Sequence, residues 1–523
     1  MIAGTHLEGT PVGTVLHGAL RALGRAREPY LTVGTFTPNI HGVGNPLPLR
    51  QLSLNVHSHI LGQTGMGKSY HIISQLDQLL RQGIGFSFVD PNDTGERFFS
   101  LLVARGFFDN PEHRKRVRYV EFDEDAAWCL PLNFLNRPGV EPATIAEQML
   151  KVFHRLWPAL SHGAAPRFDD IMHNGMVVLI ANQLPLTCME QLLTNRRFRE
   201  RLLSTMGQER YIDVVRFFRS RFDSWGRVTP EFIDSTLTRI STLLAAPILK
   251  YSIGQQEMQL NFRAIMDQEI CVIYNLGRVQ NEDVRRFLGC LLTKGYDNAA
   301  MSRQDLPHWS RRPHHLYIDE FHDFSENSSD SLSKDLTMGR KYGLFVCMAH
   351  QNWDQDSVPL QHAIETNASV KKAFRIGRSD AELSAKIMGA VDPLTLRHTI
   401  SAEDSESAGM AEGWERWVER LMHLPRQHLL VKIGISPTQE VVSVPVRLRA
   451  AEPAKLEQVR QAFFGDLQKR RSQIQLVHFG IQPDGTIGAS SRQEATPTAP
   501  PPVHPSRSRA TIRLPWSVEL ERT

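Results

Sequence analysis

The order of apolar and polar stretches along the chain predicts strands that alternate with helices. Short runs rich in β-branched and aromatic residues read as buried strands. They are residues 54–61, 84–91, 117–122, 269–276, 315–320 and 343–351. Apolar residues at helical spacing follow the first of these strands over 70–80 and the fourth over 283–292. This alternation predicts an α/β fold with a mainly parallel sheet.

Between residues 140 and 250 the pattern changes to helix alone. Apolar residues recur at three- and four-residue spacing over 145–150, 171–184, 189–203 and 211–222. A block of this length fits an all-α subdomain inserted into the core.

The ends of the chain have a different composition from the middle. Residues 454–475 read as one basic amphipathic helix, whereas the chain beyond 483 is rich in Pro, Ser, Thr and Arg, which is typical of disorder. Within that tail, Ile512–Trp516 is a candidate docking peptide, with an inert tail as the alternative. The predicted organisation is a β-rich lead-in (1–50), a core (51–139 and 251–450), an all-α insertion (140–250), a basic helix (451–482) and a disordered Pro-rich tail (483–523).

Composition narrows the class of protein only a little. The 523 residues are 41% hydrophobic and 22% charged, as in a soluble globular protein, and the net charge of +4 is compatible with nucleic acid binding. Five scattered cysteines without a C-x-x-C pair argue against a zinc site or a disulfide framework. The sequence lacks an apolar run of about 18 residues and a signal peptide. We therefore expect a cytoplasmic protein that reaches a membrane only through a partner.

The most specific motif in the chain is Gly62–Ser69, which fits the phosphate-binding pattern G-x-x-x-x-G-K-[ST]. It lies between a predicted strand and a predicted helix, as the motif requires. Glycines let backbone N–H groups surround a phosphate at the positive end of the helix. Lys68 is expected to contact the β- and γ-phosphates of ATP, and Ser69 to bind Mg²⁺. The predicted nucleotide-binding residues are Gly62, Gln63, Thr64, Gly65, Met66, Gly67, Lys68 and Ser69.

Polar residues at the ends of later strands predict the rest of an ATPase site. Asp319 is expected to bind Mg²⁺, and Glu320 to activate the attacking water as general base. Gln351 is expected to contact the γ-phosphate or that water, with a turn-forming role as the alternative. Asp90 ends another apolar run, where it either terminates the strand or contributes to the site.

Arg340 lies at a junction between a helix and a strand, 21 residues after Asp319. It is a candidate arginine finger that acts on the nucleotide of a neighbouring subunit. The alternative is a cation that stabilises the C-terminal end of a helix.

The helical insertion contains many arginines interleaved with aromatic residues. Such a face could follow a phosphate backbone, although solvated arginines on an amphipathic helix are the simpler interpretation. The arginines are Arg196, Arg197, Arg199, Arg201, Arg210, Arg216, Arg219 and Arg221.

The order of these motifs resembles the HerA/FtsK superfamily of P-loop ATPases. The resemblance rests on His59–Ser69, Asp90-Pro91, the helical insertion, Leu316–Glu320 and Gly339–Gln351, and it covers roughly residues 50 to 440. It is strongest to the motor domain of conjugative type IV secretion coupling proteins of the TraG/TraD type. This resemblance implies a RecA-like core, a homohexameric ring around DNA and ATP-driven translocation. It further implies a secretion-channel or relaxase-type protein partner.

By the same resemblance, Lys68 is the Walker A lysine, and Asp319 and Glu320 are the Walker B acids. Arg340 is the trans arginine finger and Gln351 the sensor glutamine. Two features depart from the family pattern. Coupling proteins usually carry N-terminal transmembrane helices, and Asp-Pro is usually followed by Lys-Gly-Asp, where this chain has Asn92–Gly95.

Parts of the sequence also fit two other functions. Asp319–His322 spells D-E-x-H, and Arg375–Arg378 is similar to the arginine motif of superfamily 2 helicases. A separation of 55 positions from Glu320 to Arg375 is too short for a second RecA-like domain. An ATPase that powers a secretion, mobile-element or defence complex without moving DNA stays open.

Overall fold

An eleven-stranded mixed sheet forms the centre of the protein. The computed structural model describes residues 29–36, 47–125, 127–157, 159, 166–207, 209–228, 231–324, 336–353, 358–389 and 405–474. The predicted disordered tail, including its docking peptide, and residues 1–28 of the lead-in lie outside the described residues.

Among the described strands, six lie on the six predicted apolar runs and seven lie elsewhere in the chain. In chain order they are β1 (Leu31–Thr35), β2 (Pro48–Gln51), β3 (His57–Leu61), β4 (Gly85–Asp90), β5 (Val117–Asp123), β6 (Trp128–Cys129), β7 (Cys271–Arg278), β8 (His314–Ile318), β9 (Leu344–His350), β10 (Ala368–Ala373), β11 (His428–Ile433), β12 (Gln439–Ser443) and β13 (Lys469–Arg470). Strands β6 and β13 form a separate two-stranded sheet.

Seven neighbouring strands of the large sheet are parallel, in the spatial order β10, β3, β9, β8, β4, β7 and β5. Every residue of β3, β4, β8 and β9 is buried, which explains why these strands read as apolar runs without alternation. Parallel pairing brings the C-terminal ends of these strands to one edge of the sheet. We call it the P-loop edge, and the opposite edge, where the strands begin, the entry edge.

The sheet continues beyond β10 with antiparallel strands in the order β11, β12, β1 and β2. The described lead-in strands, β1 and β2, are therefore part of the core sheet. Gly34 of β1 is required for this contact, because a Cβ atom there would lie 2.5 Å from Cγ2 of Val441.

The helices pack around this sheet. They are α1 (Lys68–Gln82), α2 (Thr94–Ala104), α3 (Pro111–Arg116), α4 (Pro142–Leu156), α5 (Pro166–Ala181), α6 (Met189–Thr194), α7 (Arg196–Thr205), α8 (Ile212–Arg216), α9 (Asp223–Val228), α10 (Glu231–Leu244), α11 (Pro247–Ile253), α12 (Phe262–Asp267), α13 (Glu282–Ser302), α14 (Val358–Asn367), α15 (Arg378–Met388), α16 (Ser405–Met422) and α17 (Pro453–Leu467). Residues 336–341 are also helical.

Helices α4 to α11 form the insertion, and no strand is found among the described residues from 142 to 253. The insertion packs against the core through aromatic residues. Phe153 of α4 stacks on Phe287 of α13 with ring centroids 5.7 Å apart. Parallel β-strands with helices and an inserted helical block agree with the predicted RecA-like α/β fold.

The C-terminal helix differs from its prediction in length and charge. It ends at Leu467 rather than near 475, because the chain turns into β13, which pairs with β6. Its two cations, Lys455 and Arg460, are matched by Glu457 and Asp466, so the helix itself is not basic. The basic character predicted from the sequence came from residues 469–471, which follow the helix.

Arg460 connects α17 to the core through ion pairs. Its guanidinium lies 2.6 Å from Glu96, 3.5 Å from Glu121 and 3.0 Å from Glu457, and its side chain is 9% exposed. Burial raises the pKa of Glu121, and the nearby Arg460 opposes that shift.

No single helix in the described parts of the chain has the length and apolar character needed to cross a membrane. The helices Pro166–Ala181 and Leu186–Thr194 reach that length and composition only as a pair, bent by 118°.

Replacing Arg460 with Met is expected to destabilise the fold by about 3 kcal/mol, because Glu96 and Glu121 lose their buried cation. Lys455→Met is the matched control, since Lys455 makes an ion pair with Asp109 that is 41% and 63% exposed and is expected to contribute less than about 1 kcal/mol. The measurement is urea unfolding of both variants. Equal midpoints for Arg460→Met and wild type would contradict this role.

Candidate nucleotide-binding site

Four strand ends meet at the P-loop edge and carry the predicted site residues. The Gly62–Ser69 loop follows β3, Asp319 and Glu320 follow β8, Gln351 follows β9, and Asp90 ends β4. In the spatial order of the sheet, β3, β9, β8 and β4 are consecutive neighbours. Residues separated by more than 250 positions in the chain therefore lie side by side.

The backbone of the Gly62–Ser69 loop is shaped to receive an anion. Gly65 and Gly67 have φ angles of 82° and 118°, which favour glycine, and helix α1 begins directly afterwards at Lys68. Among the loop backbone hydrogen bonds that the structure describes, the amides of residues 64, 65 and 67–69 have no acceptor. These N–H groups at a helix N-terminus fit a phosphate.

Lys68 is a buried cation, 7% exposed, at the base of this loop. Its Nζ donates a hydrogen bond of 2.9 Å to the carbonyl of His350 and lies 3.7 Å from Oε1 of Glu320. The imidazole rings of His59 and His350 lie nearby and do not add a second positive charge. Burial lowers the pKa of His59 to about 3 and that of His350 well below its usual value, so both are neutral near pH 7.

Gln351 connects the loop to the acid of β8. The Thr64 hydroxyl donates to Oε1 of Gln351 at 2.9 Å, and Nε2 of Gln351 donates to Oε1 of Glu320 at 2.5 Å. The side-chain amide of Gln351 thus accepts a hydrogen bond from the phosphate loop through its oxygen and donates one to the Glu320 carboxylate through its nitrogen. The structure brings Lys68, Glu320 and Gln351 together.

Asp319 and Glu320 are held by the backbone at the end of β8. The amide of Asp319 donates to the carbonyl of Val89, and Glu320 adopts a left-handed conformation with a φ of 47°. This conformation is strained for a residue with a side chain and is common at functional sites. Burial raises the pKa of Asp319, while the Lys68 charge opposes the shift. A divalent cation favours the ionised form.

Asp90 organises the loop after β4. Its carboxylate accepts hydrogen bonds from the amides of Asn92 at 3.1 Å and Gly95 at 2.7 Å. Burial and the nearby Asp319 raise the pKa of Asp90 to about 8. These contacts favour the structural interpretation of Asp90, which fixes the turn into α2.

Arg340 lies on the entry edge, away from this site. It precedes β9, whereas Gln351 follows that strand, and the seven residues of β9 extend about 20 Å at ~3.3 Å per residue. The Arg340 side chain is exposed. The structure therefore separates Arg340 from the P-loop of its own chain.

Acidic side chains form ion pairs with most of the arginines of the insertion. Arg199 is buried and pairs with Asp223 at 2.8 Å. Six of the eight arginines make such pairs: Arg196 and Arg199 with Asp223, Arg210 with Glu141, Arg216 with Asp213, Arg219 with Glu200, and Arg221 with Asp170. This pattern favours the simpler interpretation of a solvated helix surface over a track for DNA.

Sequence analysis missed residues that hold the loop from the other side. The amide of Gln63 donates to the carbonyl of Arg375 at 3.0 Å, and the amide of Gln427 donates to the carbonyl of Met66 at 2.8 Å. A Cβ atom at Gly62 would lie 2.7 Å from Phe374, so only glycine fits there. The Arg375–Arg378 motif includes one of these residues, Arg375. Its similarity to a helicase motif did not indicate a contact with the P-loop.

The fold of this chain matches that of a conjugative coupling protein. The unbound bacterial conjugative coupling protein TrwB, lacking its first 70 residues, aligns with a TM-score of 0.52 at 16% identity, over 84% of this chain and 93% of that one. TrwB in complex with the non-hydrolysable ATP analogue ADPNP aligns with a TM-score of 0.50 at 17% identity, over 84% and 94%. VirB4 of Thermoanaerobacter pseudethanolicus aligns with a TM-score of 0.44 at 15% identity, over 77% and 91%.

Sequence comparison adds nothing to this structural similarity. No family model matches the chain, and no curated protein matches it. At 16–17% identity the two TrwB structures establish the fold alone.

Replacing Gln351 with Ala is expected to lower kcat for ATP about 100-fold and to change KM little, because Glu320 loses the contact that orients it. Asn352→Ala is the control, since Asn352 is the exposed neighbour of Gln351. Steady-state ATPase kinetics of both variants test this prediction. A kcat like that of wild type in Gln351→Ala would exclude the positioning role.

Proposed function

We propose that this chain is an ATP hydrolase of the HerA/FtsK superfamily that acts as a ring-shaped DNA motor. The chain of contacts from Thr64 through Gln351 to Glu320 carries the proposal, because it couples the phosphate loop to a residue suited to activate water. The fold similarity to the coupling protein TrwB, over 93% of that chain, supports a role related to conjugation and type IV secretion.

The cofactors we assign are ATP and Mg²⁺. The TrwB structure with an ATP analogue supports the choice of nucleotide. The free amides of the P-loop fit its phosphates, and the Ser69 hydroxyl and the Asp319 carboxylate are oxygen ligands of the kind that Mg²⁺ prefers. When bound, the metal would neutralise charge on the phosphates.

Each residue of the site then has a defined task. Glu320 accepts a proton from the attacking water. Gln351 orients the Glu320 carboxylate and links it to Thr64 of the P-loop. Lys68 stabilises the charge of the β- and γ-phosphates. Its contact with the His350 carbonyl keeps the ammonium group hydrogen-bonded in a buried position.

Arg340 is assigned to the nucleotide of a neighbouring subunit. Its position on the entry edge supports this role, because two different edges that meet head-to-tail generate a ring when the rotation between subunits closes. A homohexamer around DNA is the assembly that the superfamily resemblance implies. A secretion-channel or relaxase-type protein is the partner that we expect on the same grounds.

One observation favours a second function. Acids pair with six of the eight arginines of the insertion, so this surface offers DNA fewer free cations than the sequence indicates. An ATPase that powers a protein complex without moving DNA would have no need of such a surface.

The experiment that separates these functions measures molar mass and ATPase rate with and without DNA and Mg·ATP. A motor is expected to form a ring whose ATPase is stimulated by DNA, while Glu320→Gln binds ATP without turnover. ATPase activity that ignores DNA and responds to a protein partner would favour the second function. A monomer with activity independent of DNA would exclude the ring motor.

Mixing two inactive variants tests the shared site. Lys68→Ala and Arg340→Ala each damage a different edge, so in a random mixture about one interface in four combines two intact edges. ATPase activity should therefore return in part on mixing. The control is each variant mixed with itself, and failure of the mixture to exceed both controls would place Arg340 outside the site.

A further inference from the structure

The two oxygens of the Glu320 carboxylate have different surroundings. Oε1 accepts the hydrogen bond from Gln351 and lies 3.7 Å from Nζ of Lys68. Oε2 is buried and accepts no hydrogen bond from the residues that the structure describes. A buried carboxylate oxygen without a donor is costly, so a donor beside Oε2 would stabilise the ionised Glu320.

His322 lies beside this second oxygen. Its side chain is 19% exposed, and its Nδ1 is 3.8 Å from Oε2 of Glu320. On another side of the ring, Nε2 is 3.4 Å from Oδ1 of Asp323. A ring nitrogen that carries hydrogen is a donor, so each nitrogen faces an acceptor. A shift of about 1 Å would bring Nδ1 to hydrogen-bond distance from Oε2.

The turn that carries His322 is fixed by its buried neighbours. The chain forms a single 3₁₀ turn directly after Glu320. Phe321 and Phe324, on either side of His322, are 4% and 2% exposed. The Phe324 ring packs against Gly289 of α13, where any side chain would overlap it. The two buried rings anchor the turn, so the His322 ring is held close to the carboxylate.

The burial of Oε2 bears on what His322 does there. A histidine in this place could also accept the proton that Glu320 removes from water. In that case the water would first have to reach Oε2, because this is the oxygen that faces the ring. Oε2 is closed to solvent, whereas a hydrogen bond donated to Oε2 requires no access for water. The structure therefore favours His322 as a donor over His322 as a proton relay.

We propose that His322 is a positioning residue, whose Nδ1–H holds Oε2 of Glu320 while Gln351 holds Oε1. This inference rests on the ATP hydrolysis proposed above and adds a second point of attachment for the general base. With one oxygen held, the carboxylate can rotate about its Cγ–Cδ bond. With both oxygens held, it keeps one orientation toward the attacking water.

The first test compares two amides that each reproduce one nitrogen of the ring. The side-chain nitrogen of Asn lies close to the position of Nδ1, whereas that of Gln lies close to the position of Nε2. His322→Ala and His322→Gln are expected to lower kcat for ATP at least about tenfold, because neither donates to Oε2. His322→Asn keeps this donor and is expected to stay within about threefold of wild type.

Single-turnover hydrolysis, with protein in excess over ATP, separates the chemical step from product release. The affinity for ATP is expected to change less than about twofold in all three variants, because the P-loop binds the phosphates. His154→Ala is the control, since His154 contacts Asp169 at 2.8 Å within the helical insertion. Both its rate and its ATP affinity should equal those of wild type. Circular dichroism and thermal melting verify that the variants fold.

Four outcomes overturn the inference. A wild-type rate in His322→Ala excludes any role of this side chain and leaves the ATP hydrolase intact. A rate in His322→Asn as low as in His322→Ala excludes the donor role. Equal rates in His322→Asn and His322→Gln exclude a contact through Nδ1. A wild-type chain that binds ATP without hydrolysing it overturns both this contact and the proposed function.

Discussion

The parallel pairing of β3 with both of its neighbours is the constraint on which the site depends. Strand β9 on one side and β10 on the other end at the same edge as β3. The P-loop that follows β3 is therefore enclosed by the ends of two strands from the last third of the chain. Lys68 and Gln63 donate hydrogen bonds to backbone carbonyls there, at His350 and Arg375. The sheet therefore holds the loop from both sides.

Burial sets the electrostatics of this arrangement. Lys68 and Glu320 are 7% and 8% exposed, and a buried cation or carboxylate without a partner would be costly. The histidines around them are neutral, so the charge balance rests on Lys68 and on the acids Asp319 and Glu320. Gln351 adds a neutral bridge that fixes geometry without adding charge. These buried charges are held by each other and by hydrogen bonds rather than by water.

Strand direction also divides the protein into two edges with different chemistry. The P-loop edge carries the phosphate loop and the carboxylates, whereas the entry edge carries Arg340. A single chain cannot bring these edges together, because the full length of β9 separates them. The proposed completion of the site by a second copy agrees with the polarity of a parallel sheet, in which residues at opposite ends of one strand lie at opposite edges.

The sequence by itself determined the α/β class, the P-loop and the acids after β8. These features depend on local patterns: apolar runs, glycines at fixed spacing and polar residues at strand ends. It also indicated the helical insertion, because period and length suffice for that inference. It did not determine that β1 and β2 join the core sheet, that α17 ends at Leu467, or that acids pair with the arginines of the insertion. Those features depend on contacts between distant residues, such as Arg199 with Asp223, and only the tertiary structure decides which distant residues meet.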